Sequence, residues 1–143
     1  MSRLDEDWQQ RWYQLCDKHD EKGYESLSSD ERIWYNVRGL IDAIENGGLI
    51  SFYNNHGADD LDDTMEDLQK IDAIDVINML EEVNQLFPNG KPPKDIDKRN
   101  EVIDSWEDGQ YEDLLESLDD RFYDELQENL ELKLDKVVRR LLS

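Results

Sequence analysis

Apolar residues recur along this chain at intervals of three and four, and no stretch sustains the two-residue alternation of a strand. Trp8, Trp12, Leu15 and Cys16 open the pattern. Ile33, Val37, Leu40, Ile41 and Ile44 repeat it, with Trp34 at the edge. Leu61, Met65 and Leu68 continue it, followed by Ile74, Ile77, Leu80, Val83 and Phe87. Ile96, Ile103 and Trp106 mark a further helix, and Tyr111, Leu114, Leu115 and Leu118 a short one. Phe122, Leu126, Leu130, Leu134, Val137, Val138 and Leu141 then form a long final stripe. Side chains so spaced share one face of an α-helix. The expectation is an all-α fold, a compact bundle of about seven or eight helices in a single domain.

The helix boundaries are also written locally. Ser28 with Glu31 makes a capping box, and Leu27 is placed to staple onto the first turn. Asn46-Gly47-Gly48 stops that helix, because glycine takes the left-handed conformation a helix C-terminus needs. A short helical turn follows, with Leu49, Phe52 and Tyr53 inward. Asp5, Glu6 and Asp7 suit the N-terminus of the first helix and its dipole. Pro88-Asn89-Gly90-Lys91-Pro92-Pro93 is an inter-helix loop, and Asp119 or Asp120 is expected to cap the last helix. Residues 1–27 read as an N-terminal helix and connection packed on a domain spanning 28–143.

The formal net charge is −21, from 37 Asp and Glu against 16 Lys and Arg. With 37% of residues hydrophobic, the chain folds despite that charge. The charge repels phosphate, so neither nucleic acid nor an anionic membrane is an expected ligand. It attracts cationic partners. Two segments carry it: 57–82, with ten acids and one base, and 101–131, with thirteen acids and one base. In the first, Asp59, Asp60, Asp62, Asp63, Glu66 and Asp67 crowd the opening turns of one helix, beyond what a helix dipole favours. In the second, Asp108, Glu112, Asp113, Glu116 and Asp120 lead into Asp124, Glu128, Glu131 and Asp135, which step along the face opposite the apolar stripe. These fifteen carboxylates are the expected partner-binding surface. Lys133, Lys136, Arg139 and Arg140 suit the dipole at a helix end and need no binding role.

Catalytic chemistry is not signalled. His19 and His56 sit in no HExxH or ExxH pattern, the Asp59–Asp67 run lacks the mid-loop glycine of an EF-hand, and no phosphate loop, dinucleotide fingerprint or nucleophile elbow occurs. No metal, cofactor or catalytic residue is expected. Cys16, the one cysteine, reads as a buried structural thiol whose acidic neighbours Asp17, Asp20 and Glu21 oppose activation. His56 is expected to bond backbone carbonyls at a helix end. Met1–Asp7 has no apolar leader and no run approaches membrane-spanning length, so the expectation is a soluble, cytoplasmic protein.

From Ser28 to about Leu142 the chain resembles the bacterial DNA-mimic protein family, an acidic all-α domain. The resemblance is carried by Asp30-Glu31-Arg32-Ile33-Trp34-Tyr35 at a helix entry, by Asn46-Gly47-Gly48, by Phe52 through Gly57 with Asn54 between them, and by the Leu80–Phe87 helix. It implies an all-α fold, dimerisation, and an acidic surface occupying the DNA site of a transcription factor. The leading expectation is a non-enzymatic DNA mimic that blocks a basic DNA-binding protein. The alternative is an immunity protein neutralising a basic nuclease toxin. A structural domain whose charge gives only solubility ranks third, and an enzyme last.

Overall fold

Helix α2, Ser29–Gly47, is the spine of the fold. The computed structural model describes residues 6–142; Asp5, placed by its charge at the first helix start, lies outside the described residues. Eight α-helices and no strand occur among the described residues, so the fold is all-α. Against α2 pack α1 (Glu6–Lys22), α3 (Leu49–Asn54), α4 (Leu61–Lys70) and α8 (Gln127–Leu142). In turn α5 (Ile74–Asn84) packs on α4, and α6 (Ile96–Ser105) and α7 (Glu112–Arg121) pack on α3.

The Ser28–Glu31 capping box forms with both hydrogen bonds in place: Glu31 N–H donates to Ser28 Oγ (3.2 Å), and Ser28 N–H to the Glu31 carboxylate (2.8 Å). At the other end, Gly48 takes φ +80° and its N–H closes onto the Ile44 carbonyl. A Cβ there would meet Asp119 Oδ2 at 2.7 Å, and one at Gly57 would meet the Phe52 ring at 2.8 Å. Gly57 is therefore required by close approach to a buried ring, and Gly48 by its backbone conformation. The motif that carries the family resemblance is a packing device.

The core runs from Trp8 through Ile33, Val37, Leu40 and Ile44 to Phe52, Tyr53, Leu80, Phe122 and Val138, all buried. Trp34, read as an edge residue, is buried, held edge-on to Trp8 with centroids 5.1 Å apart. Ile74, read as core, is 41% exposed, because α5 begins there and packs inward only from Val76. The break expected before the last helix is absent. Between α7 and α8 the chain continues through a π-turn, Phe122–Leu126, whose bond from the Gln127 N–H to the Phe122 carbonyl spans five residues.

That π-turn answers a phase problem. Leu114, Leu118, Phe122, Leu126, Leu130, Leu134 and Val138 repeat every fourth residue. A step of four overshoots an α-helical turn by about 40°, so such a stripe winds off the core within a few turns. One π-turn absorbs an extra residue and returns about 100° of rotation. All six positions from Leu118 to Val138 are buried as a result.

Candidate interaction surface

The two acidic segments have different structural fates. In the first, Arg32 of α2 reaches across to α4. Its Nε donates to both oxygens of Asp67 (3.1 and 3.2 Å), and its Nη2 to Asp67 Oδ1 (2.7 Å) and Glu66 Oε1 (3.0 Å). Asp67 is fully buried and also accepts from Asn36 Nδ2 (2.9 Å). Asp63 accepts from Tyr24 Oη (3.0 Å), and Lys70 lies 3.4 Å from Glu66. Arg32 and Lys70 hold the Glu66 carboxyl below its usual range. Asp67 is thus corrected from a surface carboxylate to the buried anchor between α2 and α4.

Asp59 is likewise engaged inward, by the fully buried Arg99 of α6. Arg99 Nε donates to the Tyr53 carbonyl (3.0 Å), Nη1 to those of Pro93 (3.0 Å) and Lys94 (2.7 Å), and Nη2 to the Asn55 carbonyl (2.8 Å) and Asp59 Oδ1 (2.7 Å). The guanidinium spends four of its five donors on carbonyls that α3 and the proline loop leave unpaired, and the fifth on Asp59. Burial acts to raise the Asp59 carboxyl, but Arg99 and His56 outweigh it and hold it below the ordinary value. His56 Nδ1 pairs with Asp59 Oδ2 (2.8 Å), so its partner is a side chain where a backbone carbonyl was expected. Asp62 is exposed and Asp60 half-buried.

The second segment remains at the surface. Asp108, Glu112, Asp113, Glu116, Asp120, Asp124 and Glu128 are all exposed. None of these seven forms an ion pair among the described residues, and the segment's one base, Arg121, turns to Glu82 (2.9 Å). Glu125, which sequence reasoning passed over although it adjoins Asp124, is exposed beside them. Asp135 is the exception. It is 8% exposed and accepts from Arg139 Nε (2.7 Å), so it packs with the helix rather than facing out. Glu131 is half-buried, with Gln127 Nε2 at 3.5 Å. Asp119 caps α3 in place of the final helix, accepting from Leu49 N–H (2.7 Å). Burial raises its carboxyl and Asp120 adds to the rise, while the Leu49 bond opposes it.

Glu112, Glu116, Asp120, Asp124 and Glu128 repeat every fourth residue, and the π-turn keeps this row in phase just as it does the apolar one. With Asp113 and Glu125, seven exposed carboxylates occupy the span 112–128. At ~1.5 Å rise per residue that is roughly one charge per 4 Å, slightly sparser than the roughly 3.4 Å of a single DNA strand. Beside the row, Asp108, Glu112 and Glu116 rim an open groove of about 520 Å³ floored by Ile103, Trp106 and Tyr111.

Cys16, expected buried, is half-exposed. It lines a second cleft with His19 and His56. Burial and Asp20 push its thiol up, away from nucleophilic reactivity. Among the described residues no set of His, Cys, Asp and Glu is arranged to hold a metal ion, and no helix is long and apolar enough to cross a membrane. A family model described as DMP19-like protein matches residues 25–141. No curated protein and no solved structure matches the chain.

Proposed function

We propose, from the premise that this chain belongs to the DMP19-like protein family, a DNA-mimic family, that it acts without catalysis as a charge mimic of DNA. In this reading the row from Glu112 to Glu128 lies against the basic groove-reading surface of a DNA-binding protein and excludes DNA. What supports it is the contrast between the two acidic segments: Arg32, Lys70 and Arg99 pair with Asp59, Asp63, Glu66 and Asp67 of the first, whereas the second has one base over its whole length, already paired with Glu82. Carboxylates without internal partners are the ones that retain a field to steer a cationic partner. Dimerisation would set two such rows at a fixed separation.

Neutralising Glu112, Glu116, Asp120, Asp124 and Glu128 to their amides tests the reading. The control neutralises five exposed acids elsewhere, Asp17, Glu21, Glu25, Asp75 and Glu81, for the same change in net charge. The wild type is expected to capture a DNA-binding protein from host lysate at about 0.1 M salt and to release it to duplex DNA. Release is also expected toward ~1 M salt, where the screening length falls from about 10 to about 3 Å. The row variant is expected to lose the captured protein and the control to keep it. Capture by the row variant equal to wild type, or capture that DNA cannot reverse, would refute the assignment.

A further inference from the structure

The cleft that holds Cys16 lies between α1, α2, α3 and the 56–60 turn, with a volume of about 420 Å³. Its walls are aromatic. Tyr35 is stacked on His19 (4.5 Å between centroids, 14° between planes) and lies 6.2 Å from Trp12 at 29°. Asp60 stands at the rim, half-buried, with no hydrogen bond or ion pair among the described residues. Gly39 forms part of the lining from the middle of α2. Glycine destabilises a helix interior and is normally kept there for a close contact. Here a Cβ would meet nothing within 4 Å and the backbone is ordinary helix, so packing does not require it. What the missing side chain provides is the open cleft.

We infer that this cleft receives an arginine side chain of the basic partner, the guanidinium stacking on the Trp12, Tyr35 and His19 wall with Asp60 as its counter-ion. A planar cation, weakly hydrated and able to bond a carboxylate while lying on an aromatic face, fits this combination; an ammonium matches only its charge. The fold already uses the same pairing nearby. Arg38, which does not line the cleft, sits 4.9 Å over Trp8 and 4.6 Å over Trp12. The inference rests on the mimic reading for the source of the arginine and adds a specificity that a carboxylate row lacks.

Nona-arginine and nona-lysine peptides, equal in charge, serve as probes, titrated at about 0.1 M salt with tryptophan fluorescence as the signal. The wild type is expected to bind nona-arginine about fivefold tighter. Gly39→Leu fills the cleft with a better helix former, so its thermal midpoint is expected to match or exceed wild type. It is expected to bring the two affinities together by weakening the arginine peptide alone, and Asp60→Asn to shrink the ratio in the same direction. Equal affinities in the wild type, no binding of either peptide, or a preference that survives Gly39→Leu would overturn the inference. The row variant reports separately: if it binds both peptides as tightly as wild type while the arginine preference persists, the mimic surface fails and the cleft stands.

Discussion

Replacing Arg99 with methionine keeps a long unbranched chain in place and removes every donor of its guanidinium. Four carbonyls and Asp59 Oδ1 then lose a partner. The Tyr53 carbonyl belongs to a fully buried residue, whereas Asn55 and Lys94 are exposed and water can replace the arginine at their carbonyls. Removing one side of a buried, hydrogen-bonded charge pair costs about 3–5 kcal/mol, and the wetter carbonyls place this case near 4. At roughly 3–4 °C per kcal/mol for a domain of this size, the thermal midpoint is expected to fall by roughly 12–16 °C. Urea titration followed by helical circular dichroism gives the free energy directly. Arg99→Lys retains up to three donors and is expected to recover part of the loss, while Asp59→Asn keeps an acceptor and is expected to cost about 1 kcal/mol. A cost for Arg99→Met no larger than that of Asp59→Asn would show that Arg99 does not clamp α3 to the proline loop.

Two further outcomes follow from the carboxyls. Asp119→Ala is expected to cost about 1 kcal/mol through loss of the α3 cap, whereas Asp119→Asn keeps an acceptor without a half-buried charge and is expected to match or exceed wild type in urea midpoint; equal losses for both would refute the cap. Glu31, Asp59 and Glu66 are held below the ordinary carboxyl range, so the stability they supply is complete above about pH 4 and is lost as pH falls through their depressed values. Asp60 and Asp119 are raised, so they favour folding at lower pH and withdraw that contribution as pH rises through their folded values. Urea midpoints are therefore expected to fall as pH drops below about 4, where Glu31, Asp59 and Glu66 lose their charge; a midpoint unchanged between about pH 5 and about pH 3 would contradict this assignment.

Much of the fold is legible in the residues themselves, because caps and stops act locally. Ser28 and Glu31 are three residues apart, and the Gly47-Gly48 stop is contiguous, so no tertiary knowledge is needed to read them. The site is harder to read. Counting charges treats Asp67 and Glu112 alike, yet Asp67 meets an arginine 35 positions away while Glu112 meets solvent. Arg99 looks like one member of a weak basic patch, and only the folded chain brings Tyr53, 46 positions earlier, onto it. Asp135 falls into the acidic row on a helical wheel, but the rotation of α8 that buries Val138 turns it inward. The one tertiary feature with a local signature is the π-turn, since an apolar repeat of four cannot stay in phase on an unbroken α-helix.

That turn makes chain length, more than residue identity, the sensitive quantity between Phe122 and Leu126. Tyr123 adds a bond from its hydroxyl to the Ile44 carbonyl, but the phase does not depend on it, and conservative exchanges there leave the turn count intact. Deleting a single residue is a different event. It swings the whole of α8, taking Leu130 and Leu134 off the core and Glu128 away from Glu112 in one motion. Folding and recognition would then fail together, because the same five residues set the alignment of both faces.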